Sequence, residues 1–221
     1  MTHPSPNWGE RRGGVRPDLI VIHYTAMASC AEARARLCDP VAEVSAHWLV
    51  DLDGSSEALV AEDMRAWHAG AGEWAGITDV NSRSVGIELA NPGNAPFPAP
   101  QMAGLERLLA GVMARWKVPA HRVIGHSDMA PARKRDPGAR FDWRGLARAG
   151  LSVWPEPGTA PDDFVAATRA FGYPAAGPEL ILAAFRLRFR PWAKGPLEDT
   201  DRAMAADLAR RFAVDATLAS G

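Results

Sequence analysis

The 221-residue chain predicts an α/β fold followed by a small helical domain, and three stretches carry that prediction. Leu19 to Ile22 is an unbroken run of β-branched and leucine residues, the pattern of a strand covered on both faces. Met102, Leu105, Leu109, Val112, Met113 and Trp116 recur at spacings of three and four, which puts one wide apolar stripe on a helix over 101–118; Pro119 stops it. After Gly150 the composition shifts, with proline and glycine dense over 152–161 and three helical patterns beyond. The expected organisation is therefore a catalytic-type domain over 1–150, a linker over 151–161 and a small three-helix domain over 162–221.

Composition bounds the function classes. At 47% hydrophobic and 23% charged residues the chain can bury a substantial core. A formal net charge of -1 gives no electrostatic reason for nucleic acid or anionic membrane as partner. No apolar run approaches the roughly 20 residues of a membrane span. The N-terminal residues lack the apolar core of a signal peptide. AMASC, ending at Cys30, resembles a lipobox but follows a polar stretch and is read as coincidence. Cys30 and Cys38 lie two helical turns apart, too far for an undistorted disulfide. They fit a reducing compartment, so the expected location is cytoplasmic, or periplasmic if a leader precedes this sequence.

The remaining elements follow in order. Residues 7–18 are rich in Gly, Pro and Arg and read as a segment wrapped over the surface, and 29–38 reads as a short Ala-rich helix. Residues 44–50 and 57–60 flank DLDG, a turn signal, and predict a hairpin. His47 falls in its first strand, as a packed residue or as support for a site. In AWHAG, Trp67 and His68 precede a glycine-containing loop with Trp74. With Tyr24 they are possible substrate contacts, as aromatic walls of a sugar or peptide site, although burial explains Trp67 equally well. Residues 84–90 alternate as a strand carrying Glu88, and 122–125 form another. A closing helix begins at Asp142. The last helices are expected over 162–171, 178–188 and 199–212, with Phe185, Leu187, Phe189 and Trp192 as core and Arg186, Arg188 and Arg190 as a solvated face.

The ionisable residues concentrate in VIGHSDMAPARKRDPGARFDW, residues 123–143, where His126, Asp128, Lys134, Asp136 and Asp142 share one loop. That is more chemistry than a connector needs. His126 and Asp136 are metal-ligand types, and His23, at the end of the first apolar strand, is a third. Two imidazoles and a carboxylate leave a fourth tetrahedral position for water, as catalytic zinc requires. Spacing alone also fits an ordinary polar residue at a strand end. Glu88 divides the same way, between a surface face and a site. Asp128 reads either as the acceptor behind a metal-bound histidine or as a loop cap.

GHSDMAPARKRDPG, together with LIVIHYTAM and SVGIELAN, resembles the zinc-dependent N-acetylmuramoyl-L-alanine amidases of the AmpD and AmiD type, the amidase-2 family, over about residues 6–150. The resemblance implies a mixed central sheet flanked by helices, with zinc on one rim. It implies zinc ligands at His23, His126 and Asp136, an acid/base at Glu88 and a transition-state cation at Lys134. Related phage amidases carry cysteine at the third ligand position, where this chain has Asp136. The implied reaction is hydrolysis of the amide joining N-acetylmuramic acid, in its 1,6-anhydro form, to L-alanine of the stem peptide, in peptidoglycan recycling. FGYP and AAFRLRFRP resemble the small helical peptidoglycan-binding module of some such amidases, and that module favours the alternative of an envelope amidase acting on intact peptidoglycan. A non-catalytic fragment binder is a third reading, set against all five site positions being filled. The C-terminal helices equally suit a role in shielding the catalytic domain or in dimerisation. The sequence carries no signal for oligomeric state.

Overall fold

The structure, a computed structural model, describes residues 4–156 and 158–214. Residues 1–3, 157 and 215–221, parts of the expected first domain, linker and helical domain, lie outside the described residues. The strands are β1 (Trp8–Gly9), β2 (Leu19–Tyr24), β3 (Trp48–Val50), β4 (Ser56–Ala58), β5 (Arg65–Ala66), β6 (Ser84–Leu89) and β7 (Val123–Gly125). The helices are α1 (Cys30–Leu37), α2 (Val80–Arg83), α3 (Ala99–Trp116), α4 (His126–Met129), α5 (Trp143–Arg148), α6 (Phe164–Phe171), α7 (Pro178–Phe189) and α8 (Asp199–Phe212).

The main sheet is mixed, in the order β4-β3-β6-β2-β7. Its neighbours are parallel except the β3/β4 hairpin, whose turn falls in the DLDG stretch. There Gly54, at φ 83°, takes a conformation that a side chain would strain. The continuous apolar run sits in β2, between β6 and β7. Alternation then divides its residues between two faces. Ile20 and Ile22 pack with Leu105, Leu109 and Val112 of α3. Met102, Met113 and Trp116 flank this contact, half-buried, so the stripe read from spacing is the packed face. Each fully buried Leu or Ile here contributes about 1.5–3 kcal/mol of transfer free energy. Leu19 and Val21 point to the opposite face, and His23 continues that direction at the strand end.

That second face meets the C-terminal helices. Leu19, Val21, Ile124 and Met129 share one apolar cluster with Phe164, Phe171, Tyr173, Phe185 and Phe189. Leu151, Ser152, Val153 and Pro155, in the stretch read as a linker, are buried. The helical part therefore lies directly on the sheet and shares its core. Its helix boundaries agree with the sequence pattern to within two residues.

Several side chains depart from expectation. Arg186 and Arg188 are buried rather than solvated, 7% and 2% exposed, because each meets an aspartate that no local pattern links to it. Arg190 is half-buried against Asp201 and Glu198. Trp192, expected in the core, is 68% exposed, whereas Trp74 is buried against Phe171 and Tyr173. Arg11, in the segment expected to wrap the surface, is buried, donating to the backbone oxygens of Ser82, Ser84 and Glu62. Cys30 and Cys38 are free thiols.

Candidate active site

The site forms where three adjacent parallel strands end, the usual ligand position on an α/β sheet. His23 and Glu88 are register partners on β2 and β6. On the other side of β2, β7 runs straight into α4, whose first residue is His126. The following loop returns Asp136 to the same point. His23 Nδ1 lies 2.9 Å from His126 Nδ1, and each of these nitrogens lies 3.0 Å from Asp136 Oδ2.

The surrounding hydrogen bonds decide what these atoms present. His126 Nε2 is 2.9 Å from the carbonyl oxygen of Ala69 and so carries the proton, leaving a lone pair on Nδ1. For His23 the assignment runs through three residues. The Ser84 hydroxyl donates to Val80 O at 2.6 Å and therefore accepts from His68 Nε2 at 3.2 Å. His68 Nδ1 is then an acceptor and takes the proton of His23 Nε2 at 3.0 Å, which again leaves Nδ1 bare. Two imidazole lone pairs and a carboxylate oxygen thus face one another at about 3 Å, a repulsive arrangement that a cation relieves. A tetrahedral zinc with bonds of about 2.0–2.1 Å separates its ligand atoms by about 3.3 Å. His23, His126 and Asp136, all buried, are the one such donor cluster among the described residues, and they fit zinc in type and spacing.

Burial, followed by the positive charge of neighbouring groups, lowers the pKa of His23 to about 4 and that of His47 to about 3. His68 is lowered well below its ordinary value, chiefly by burial. All three are neutral at physiological pH, as ligation and its support require. Burial raises the Asp136 carboxyl, and the adjacent His126 and His23 rings pull it the other way, well below the usual carboxylate range.

These donors open on a cleft of about 390 Å³ lined by Tyr24, Trp67, His68, Glu88, Lys134 and Asp136 among others. Glu88 is half-buried, yet its Oε2 is wholly buried and has no hydrogen-bond partner among the described residues. Burial first, then the Asp136 charge, pushes its carboxyl up to about 8, while Lys134 pulls it down. Trp67 is half-buried and Tyr24 partly exposed, so both offer ring surface to the cleft. His68 reaches the cleft with both ring nitrogens already engaged by His23 and Ser84.

Asp128 takes the second of its two readings. It is not the acceptor behind His126, a place filled by Ala69 O. Its Oδ2 caps Gly125 N at 2.8 Å and accepts from Arg188 at 2.8 Å, while Oδ1 accepts from Tyr173 at 2.6 Å. His47 is a packed residue, accepting from Gly86 N at 2.9 Å and donating to Met64 O at 3.0 Å. Sequence reading missed Ser84 and Gly86. A methyl group on Gly86 would stand 2.4 Å from His68 Cγ, so this glycine makes the space that seats the His68 ring. The one available signal was that both belong to SVGIELAN, one and two strand repeats before Glu88 on the same face.

An α/β sheet that ends in three converging donor atoms, beside a Glu88 oxygen without a partner among the described residues and an open cleft, has the donor set and the acid/base group of a hydrolase site. The model of the N-acetylmuramoyl-L-alanine amidase family matches residues 13–139. The chain is 32% identical over 238 residues to the N-acetylmuramoyl-L-alanine amidase AmiD of Escherichia coli K12, covering 90% of this chain and 85% of that one. It is 39% identical over 157 residues to the 1,6-anhydro-N-acetylmuramyl-L-alanine amidase AmpD of Enterobacter cloacae, covering 63% and 84%. The solved complex of Escherichia coli AmiD with anhydro-N-acetylmuramic acid-L-Ala-D-gamma-Glu-L-Lys superposes with a TM-score of 0.82 at 30% identity, over 91% of this chain and 92% of that one. The chain belongs to the N-acetylmuramoyl-L-alanine amidase family and is an amide hydrolase.

Proposed function

We propose that this enzyme is zinc-dependent and cleaves the amide between N-acetylmuramic acid, in its 1,6-anhydro form, and the L-alanine of the stem peptide. The observation that carries the reading is the convergence of His23 Nδ1, His126 Nδ1 and Asp136 Oδ2 beside the unpaired Oε2 of Glu88. The AmiD complex with an anhydromuramoyl peptide, similar over nearly the whole chain, supports the choice of substrate.

His23, His126 and Asp136 would hold the metal. Zinc, when bound, supplies a Lewis acid that lowers the pKa of water toward neutrality. Glu88 accepts a proton from the water whose oxygen bonds to the lactyl carbonyl carbon, and later gives one to the alanine nitrogen. That second transfer is needed because an amide nitrogen leaves as an amine, not as an anion. As the C–N bond breaks, the products are the sugar carboxylate and a stem peptide with a free amino group. The Lys134 ammonium, on the cleft wall, stabilises the charge gathering on the carbonyl oxygen. Tyr24 and Trp67 give the substrate ring surfaces to lie against.

Product mass spectrometry after incubation with anhydromuramoyl peptide and with intact sacculi, each with a chelated control, tests the reading. Chelator-sensitive release of stem peptide from the soluble fragment alone is the expected result. Release from sacculi as well would move the substrate to intact peptidoglycan, and release from neither would overturn the catalytic reading. The free thiols of Cys30 and Cys38 favour a reducing, cytoplasmic compartment, and cell fractionation that recovers the protein from the periplasm would overturn that placement.

A further inference from the structure

We infer that Arg188, on α7, is a positioning residue for the metal site: it fixes the α4 turn that presents His126, so the C-terminal helices are part of the metal-binding apparatus. The inference rests on the metal-site reading above.

Arg188 is among the largest wholly buried side chains of the protein, 2% exposed. One terminal nitrogen donates to Asp128 Oδ2 at 2.8 Å. The other donates to Val123 O, on β7, at 2.9 Å and to Ser152 Oγ at 3.2 Å. Its guanidinium lies 4.4 Å from the ring centre of Trp143 and 4.9 Å from that of Phe189. A buried arginine held at this many points acts as a rigid fork rather than a mobile charge. Asp128, 0% exposed, is satisfied from three sides, by Arg188, Tyr173 and the backbone of Gly125.

The consequence reaches His126 along the chain from both sides, from three residues before it and from two residues after it. Arg188 grips β7 at Val123 and α4 at Asp128, and His126 lies between these points. Gly125, immediately before the histidine, is tied to the same carboxylate. Among the described residues, Ala69 O alone accepts from the outer nitrogen of His126 and orients it. The backbone that aims its Nδ1 is thus set by a residue 60 positions later. The AmpD relative aligns with 63% of this chain and lies 84% within that alignment, so most of its length is accounted for without a counterpart to much of the remainder. Here the Asp128 carboxylate has been committed to α7.

The same helix supplies a matched control. Arg186, 7% exposed, pairs with the buried Asp201 at 2.5 Å, and its other bonds go to Gly195 O and Pro196 O, none of them near α4. The test is the zinc dissociation constant of full-length wild type, Arg188→Met, Arg188→Lys, Tyr173→Phe and Arg186→Met, by competition with a chromophoric chelator, alongside their melting temperatures. We expect Arg188→Met to weaken zinc binding about tenfold or more, as loss of outer-shell support does. Arg188→Lys, which keeps the charge but not the fork, and Tyr173→Phe, which removes one bond to Asp128, should each weaken it several-fold. Arg186→Met should lower the melting temperature and leave zinc affinity within twofold of wild type. Equal zinc affinities for the Arg188 and Arg186 variants would make Arg188 a purely structural residue and overturn the inference. If Arg188→Met does not fold, Arg188→Lys and Tyr173→Phe decide: unchanged zinc affinity in both overturns it. A wild-type protein that takes up no zinc overturns the metal-site reading itself, and with it this inference.

Discussion

Glu88 carries the sharpest single-residue consequence. Glu88→Gln keeps the shape and the three donors, so zinc should be retained while turnover falls by about 10²–10⁴-fold, the scale of general acid/base catalysis. His126→Ala should lose metal and turnover together; metal analysis of the purified variants beside their rates separates the two. The buried carboxyl also has a signature in the metal-free protein. Its folded pKa of about 8 lies above the unfolded value of 4.5, so the folded state binds the extra proton between those limits. The Glu88 contribution to apoprotein stability should therefore be lost as pH rises from about 4.5 to 8, on the order of 2 kcal/mol. Denaturant titrations of both apoproteins isolate this contribution as a difference: the stability of wild type relative to Glu88→Gln should fall as pH rises across that range, whatever the buried histidines do to both profiles. The three donor positions were singled out through the resemblance carried by GHSDMAPARKRDPG and LIVIHYTAM, since residue type and spacing alone left each of them open. The partner of Asp128 was not: Arg188 sits 60 residues away, in a helix where an arginine between apolar positions reads as surface.

At the scale of elements, β6 serves the site with three successive residues on one face. Ser84 orients His68, Gly86 makes room for its ring, and Glu88 faces the cleft. Gly86→Ala should displace His68, costing about 1–3 kcal/mol as an overpacked core does and weakening zinc binding through His23. Ser84→Ala removes the acceptor that fixes the His68 tautomer, and should weaken zinc binding with a smaller effect on melting temperature. Calorimetry with zinc titration checks both, and a Gly86→Ala protein of wild-type stability would refute the seating role. The strand and its Glu were legible from alternation. The task of the glycine was not, since it depends on a ring arriving from a separate loop. Helix α3 was legible nearly whole because 18 residues of regular spacing average out local exceptions.

For the whole molecule, acid is the expected weakness. His23 and His47 are buried neutral, with folded values of about 4 and about 3 against 6.5 unfolded. The unfolded chain therefore takes up protons first, and stability present above pH 6.5 is lost as pH falls toward 4. Melting temperature followed from pH 7 to 4 in chelator-treated protein should drop steeply, and a flat profile would contradict the burial of these rings. Truncation after residue 150 should yield an insoluble or molten product, because it strips Phe164, Phe171, Phe185 and Phe189 from the face built on Leu19, Val21 and Ile124. The helical segments themselves were legible from composition and periodicity. Their docking was not, since an apolar helix stripe specifies that something is covered without specifying what.

The buried Arg188–Asp128 pair also sets an order of events during synthesis. The ribosome releases the strands and all three donor residues well before α7, at roughly 5–20 residues per second. Asp128 precedes Arg188 by 60 residues, so for several seconds the α4 turn is out of the ribosome with its main cationic partner still unmade. Nascent chains arrested before α7 should capture zinc poorly despite containing His23, His126 and Asp136, and those arrested beyond α8 should capture it well. On the proposed metal-site reading, this geometry makes metal loading an expected late checkpoint of translation.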